Sequence, residues 1–236
     1  ATLFFIDDEW TFPERSSAFL RACARATAQR FGLDNRSVNW IERKPGVRAI
    51  YTPTLAARYI PKSDVIIATL WRTAEYLAKY PTRLGAKYYF IQHYEDWSGP
   101  QKRVDRTWRS IERKIVIAEW LLNKSIELNA GPATICQNGI DPTEFYITNA
   151  INQRSPFKIS MMYSPNKWKG SDIGLDAIEA IKKQIPELQV RLFSASKRPK
   201  SIPAWIEFHE NPTRDFIRDE IYNWAAIFLC PSISEG

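Results

Sequence analysis

The chain has 236 residues, 44% hydrophobic and 13% aromatic, and Lys plus Arg exceed Asp plus Glu by 33 to 26. This composition excludes a disordered or low-complexity chain, and no apolar run approaches the roughly 20 residues that a membrane-spanning helix needs. The net charge of +7 favours anionic partners such as nucleotide diphosphates, and peripheral contact with anionic membrane surfaces. No RNP-type motif, zinc finger or helix-turn-helix pattern accompanies that charge, so nucleic acid is not expected as a partner. Cys23, Cys136 and Cys230 are odd in number, far apart and set among apolar residues. They are expected as reduced, buried thiols of a cytoplasmic protein. The N-terminus lacks the basic flank and apolar core of a signal peptide.

Residues 2–6 read as a strand and 18–31 as a helix, with a loop at 11–17 between them. The acidic run Asp7-Asp8-Glu9 reads as a solvated loop, and no metal is assigned. From residue 62 onward short apolar runs alternate with longer amphipathic ones, the pattern of βαβ units around a parallel sheet. Strands are expected at 64–69, 87–92, 115–118 and 133–136, with helices at 72–80, 104–114 and 120–129. Pro81 stops the first of these helices. A second unit begins near Phe157, with strands at 158–163, 189–194, 205–209 and 226–230. Its first helix, 172–185, carries Leu175, Ile178, Ile181 and Ile185 on one stripe. Thr213 is the expected N-cap of a helix over 214–224. The polar stretch 148–155 marks the boundary, giving domains 1–150 and 151–236.

Three segments carry chemistry. Asn138-Gly139-Ile140-Asp141, with Phe145 following, closes the first unit, and Gly139 is expected in a tight turn at a strand's carboxyl end. Asn166-Lys167-Trp168-Lys169-Gly170 precedes a helix, where a fixed ammonium beside a helix N-terminus suits an anionic ligand. The last strand runs into Pro231-Ser232-Ile233-Ser234-Glu235-Gly236. A softer fourth cluster, His93, Glu95 and Trp97, follows the strand at 87–92, at an edge where polar and aromatic groups suit ligands. Taken singly, each also reads as an ordinary loop or a solvated surface.

Together the segments resemble the retaining GT-B glycosyltransferases of family 4, over about residues 64–236. The resemblance implies an α/β protein of two Rossmann-like domains facing a cleft. It implies transfer of a sugar from a nucleotide-diphosphate donor to a hydroxyl of a glycan or lipid-linked acceptor, with retention and without a cofactor. Lys169 aligns with the family Lys that meets the donor diphosphate, and Glu235 with the Glu that faces the transferred sugar. Lys167, Asn166, Ser234, Gly236 and Gly139 fall at donor-binding positions. His93, as a third catalytic candidate, Glu95 and Trp97 fall on the acceptor side.

The chain departs from the family at several points. The family Arg falls near Tyr163 or Ser164, neither of which is basic, and Lys167 is the available substitute. No Gly-rich turn follows the first strand. The family motif continues through Phe-Gly-x-Pro into a helix with a second Glu, whereas this sequence stops one residue after the first, so an incomplete second domain is expected. The Tyr-Phe-Ile-Gln-x-Tyr-Glu stretch is similar to bacterial polysaccharide-assembly transferases, which implies a growing surface glycan at the inner membrane face. The alternatives are a sugar-nucleotide or anionic-ligand binding module without turnover, and a basic nucleic-acid-binding domain.

Overall fold

Buried apolar side chains collect into two clusters, one drawn from residues 55–130 and the other from 159–206. The chain accordingly divides into two units, 1–137 and 138–236. The computed structural model describes residues 2–5, 23–24, 26–28, 31, 45–52 and 54–235. The loop at 11–17, the acidic run at 7–9 and Gly236 lie outside them. Of the helix expected at 18–31, residues 23–24 and 26–28 are helical and the rest lie outside the described residues, apart from Phe31, which is in a turn.

In the first unit, β1 (Thr2–Phe5) and β2 (Arg48–Tyr51) form a parallel pair. A four-stranded parallel sheet follows in the order β3 (Val65–Ala68), β4 (Ala86–Ile91), β5 (Arg113–Val116), β6 (Ala133–Ile135). The helices that connect these strands are α1 (Trp71–Ala78), α2 (Gln101–Ser110) and α3 (Glu119–Glu127). Each buries one stripe: Trp71, Ala74 and Leu77 on α1, and Val104, Thr107 and Trp108 on α2. That spacing of three and four residues is what sets one helical face against the sheet. Trp108 is fully buried and meets Tyr89 and Tyr94 edge to face. Lys114 is also buried, and its ammonium donates to the carbonyls of Ile111, Glu112 and Ala130. Burial pushes its pKa below the usual lysine range.

The second unit is a four-stranded parallel sheet in the order β10 (Ile227–Leu229), β7 (Lys158–Met162), β8 (Gln189–Ser194), β9 (Glu207–Glu210). Helix α4 (Ser171–Gln184) joins β7 to β8 and buries Gly174 and Ile178. Thr213 caps α5 (Arg214–Phe216) as expected, its side chain accepting from the Phe216 N–H. The helix does not run to 224 as an α-helix but widens into a π-turn over Ile217–Tyr222. Two buried groups favour the wider turn. Ser160 on β7 donates its hydroxyl to the Ile221 carbonyl, and the Asn223 amide donates to the Arg218 carbonyl.

The division before Asn138 falls earlier than the polar stretch at 148–155, and side-chain hydrogen bonds account for the difference. Arg154 donates to the carbonyls of Asn149, Tyr222 and Ala225 and to Asn223 Oδ1. Asn223 accepts from the Thr148 N–H and donates to the Tyr146 carbonyl. Segment 146–154 is thereby held to the end of the π-turn. The cysteines also differ from expectation: Cys136 and Cys230 are exposed and Cys23 is half-buried. Cys136 and Cys230 each follow the last residue of a strand, β6 and β10, so they sit on the sheet edge rather than in the core.

Candidate functional site

Sheet order decides where a ligand fits in the second unit. The chain steps from β7 outward to β8 and β9, then returns to place β10 on the other side of β7. The order therefore reverses between β7 and β10, two parallel neighbours whose following loops leave from the same carboxyl edge of the sheet. Open parallel sheets bind ligands at such a reversal.

Both loops carry candidate residues. After β7 the Ser164 N–H donates to the Ser171 hydroxyl at 2.8 Å, and the Asn166 N–H to the Ser164 hydroxyl at 3.3 Å. A single 3-10 turn, Lys167–Lys169, then leads to Gly170 at the head of α4. Gly170 has φ +61°, and a Cβ there would lie 2.1 Å from the Pro231 carbonyl oxygen. Only glycine allows both that backbone and that approach. The Ile233 N–H donates to the Trp168 carbonyl at 2.8 Å, which joins the loop after β10 to the turn after β7.

At this join Lys169 Nζ meets both carboxylate oxygens of Glu235, at 2.7 and 2.8 Å. The lysine side chain is one quarter exposed and the glutamate about half. An ammonium and a carboxylate thus sit together beside the start of α4, whose first N–H groups have no partner within the helix. Asn166, Lys167 and Ser234 are exposed on the same two loops.

Gly139 does not take the tight turn expected of it. It has no positive φ, and a Cβ there would meet nothing within 4 Å. The turn lies further along, where Asp141 Oδ1 accepts from the N–H and the hydroxyl of Thr143. Glu144 pairs with Arg214 at 2.8 Å, and the Phe145 ring packs edge-on against Tyr222. These contacts join the segment to α5 and its π-turn.

In the first unit the structure brings His93, Glu95 and Trp97 into one loop after β4 and adds Trp120, which the sequence offered only as a helix residue. His93 Nδ1 accepts from the Tyr94 N–H at 2.9 Å. Its ring stands edge-on to both indoles, with centroids 4.3 Å from Trp97 and 5.1 Å from Trp120. Glu95 serves the fold: with φ 62°, it turns its carboxylate onto the Trp71 N–H at 2.8 Å, the first amide of α1. Burial raises its pKa, and the bond from Trp71 and the charge of Arg72 oppose that rise. Ser98 completes the loop, donating to the Glu95 carbonyl and accepting from the Trp71 indole N–H at 2.7 Å. Among the described residues no group of His, Cys, Asp and Glu could hold a metal ion, and no helix is long and apolar enough to cross a membrane.

No family model matches the chain, and no curated protein matches it in sequence. Among solved structures it is similar to TarM, a glycosyltransferase, with a TM-score of 0.51 at 13% identity, over 68% of this chain and 34% of TarM. The chain thus spans about a third of TarM's length. At that identity the likeness is one of fold, a parallel α/β architecture of Rossmann-like type.

Proposed function

We propose that the chain is the donor- and acceptor-binding part of a GT-B glycosyltransferase that moves a sugar from a nucleotide diphosphate to a hydroxyl with retention of configuration. One observation carries the proposal. Lys169 and Glu235, 66 residues apart in the chain, meet at the carboxyl ends of β7 and β10, where the sheet order reverses. The fold shared with part of TarM and the family-4 resemblance support the same reaction class.

In this proposal the Lys169 ammonium faces the diphosphate and stabilises the charge that builds as the bond from the anomeric carbon to phosphate oxygen breaks. Glu235 accepts hydrogen bonds from hydroxyls of the sugar being transferred. The acceptor is bound by the first unit, at the loop that carries His93 and Trp97. A glycan or lipid-linked acceptor at the cytoplasmic face of a membrane fits the basic balance of the chain.

A second reading, binding without turnover, is favoured by two features. Glu235 already neutralises Lys169, and Tyr163 and Ser164 stand where the resemblance calls for Arg. Calorimetry with UDP-, GDP- and dTDP-sugars, run beside a transfer assay, separates the two. Binding with transfer supports the enzyme, binding alone supports the module, and no binding of any donor overturns both.

A further inference from the structure

We infer that the outward face of helices α1 and α2 in the first unit is a docking surface for an anionic phospholipid membrane, carried by Lys79, Lys102, Arg106 and Arg109. The inference names the surface that meets the membrane of the proposed function, and it rests on that proposal only for what the contact is for.

The placement starts from charge. The net +7 lies wholly in residues 1–137, whereas Lys plus Arg equal Asp plus Glu over 138–236. Within the first unit the cations gather on two helices. α2 carries Lys102, Arg103, Arg106 and Arg109 against one carboxylate, Asp105, which is half-buried and accepts from the Tyr94 hydroxyl. Burial of Val104, Thr107 and Trp108 turns Lys102, Arg106 and Arg109 outward together, since steps of four and three residues keep to one helical face. Glu75 on α1 pairs with Arg103, which ties the two helices together, and Lys79 at the end of α1 is exposed. Other helices carry no such excess: α3 has Lys124 against Glu119 and Glu127, and α4 has Lys182 and Lys183 against Asp172, Asp176 and Glu179.

Helix stability does not account for this arrangement. Lys102 and Arg103 stand in the first turn of α2, which holds no acidic residue, and a cation there opposes the helix dipole. Lys102 and Arg106 are four apart, and Arg106 and Arg109 three apart, spacings at which like charges repel. Among the described residues, no carboxylate pairs with Lys79, Lys102 or Arg106. An anionic plane laid against the face relieves both penalties, because basic side chains within a Debye length of a charged leaflet are drawn to it.

A membrane suits the face better than a nucleic acid does. The apolar stripe of α2 is already packed on the sheet, so the helix offers its charged side to a surface rather than inserting into one. The rings on the two helices, Trp71, Tyr76 and Trp108, are buried or half-buried, whereas single strands are held by stacking on exposed rings.

The test is co-sedimentation of the 236-residue chain with vesicles of phosphatidylcholine alone and of phosphatidylcholine mixed with phosphatidylglycerol. The chain should pellet with the mixed vesicles, stay in solution with the neutral ones, and be released at high salt. Lys79→Gln/Lys102→Gln/Arg106→Gln should weaken vesicle binding on the order of a hundredfold. Arg109 is left in place because its Nε also donates to the Leu128 carbonyl. Lys183→Gln/Lys197→Gln/Lys200→Gln, which removes the same charge from the second unit, should leave binding within about twofold. All six side chains are exposed, and near-UV circular dichroism checks that both variants keep their fold. Equal pelleting with the two vesicles, none with either, or an unchanged α1–α2 variant overturns the surface. Tighter binding to a single-stranded oligonucleotide than to the mixed vesicles, lost in the same variant, overturns the lipid in favour of nucleic acid. Inorganic pyrophosphate titrated into the same proteins reports the Lys169 site separately. Its failure beside intact vesicle binding would remove the donor proposal and leave the surface standing, and vesicle failure beside pyrophosphate binding would do the reverse.

Discussion

Lys169 Nζ is held by both oxygens of the Glu235 carboxylate, so an anion that approaches this lysine competes with a group of the chain itself. The pair is partly exposed and contributes less than about 1 kcal/mol to stability. Such a contact is easily exchanged for a phosphate. Glu235→Gln should therefore bind inorganic pyrophosphate several-fold more tightly than the wild type, while Lys169→Ala should lose most binding. Titration at low and high salt checks this, because screening weakens exposed charge pairs. Weaker binding in Glu235→Gln would contradict the competition.

The neighbouring glycine links stability to the same site. At Gly170 a side chain meets both a positive φ and the Pro231 carbonyl, so Gly170→Ala should cost on the order of 1–3 kcal/mol and displace the loop that carries Glu235. Gly139→Ala should be nearly neutral, since nothing lies within 4 Å. Urea midpoints of the two variants, read side by side, check the contrast.

The link between Arg154 and the end of the π-turn should be equally sensitive. Arg154→Lys supplies three donors to partners that now receive five bonds. The loss should be about 2 kcal/mol, visible as a lower urea midpoint with an unchanged slope. Wild-type stability would mean that segment 146–154 is held by something else.

Glu95 sets a pH dependence whose sign follows from burial. Its folded pKa is raised, so the native state holds the proton more tightly than the unfolded chain. The associated stability is fully present below the unfolded pKa and is lost as pH rises through the folded value, from roughly pH 4 upward. Glu95→Gln keeps an acceptor for the Trp71 N–H but carries no charge. Relative to wild type it should gain stability as pH rises through that range. Glu95→Ala, which removes the cap, should lose about 1 kcal/mol. Parallel pH dependence in wild type and Glu95→Gln would contradict the assignment.

Much of this was legible in the sequence, because regular elements announce themselves locally. The stripe Leu175, Ile178, Ile181 predicts α4 to within a residue at each end, and the strand at 189–194 coincides with β8. Lys169 and Glu235 were nameable from motif chemistry, but their meeting depends on sheet order, which no local pattern records. Glu95 was misleading for the same reason: its partner, Trp71, lies 24 positions away, and only the folded loop shows the carboxylate serving as a cap. Trp120 carried no signal beyond its helix, since its pairing with His93 requires β4 and β5 to be neighbours. The cysteines were misplaced because an apolar neighbourhood in sequence does not say where a strand ends.

The most direct test of the central claim is calorimetric titration of nucleotide-diphosphate sugars into wild type and Lys169→Ala. The account predicts salt-sensitive binding of at least one donor by the wild type, weakened about tenfold to a hundredfold when Lys169 is removed, as loss of a charged contact to phosphate implies. Equal affinity in both proteins, or no donor bound by the wild type, would contradict the placement of the donor site between β7 and β10.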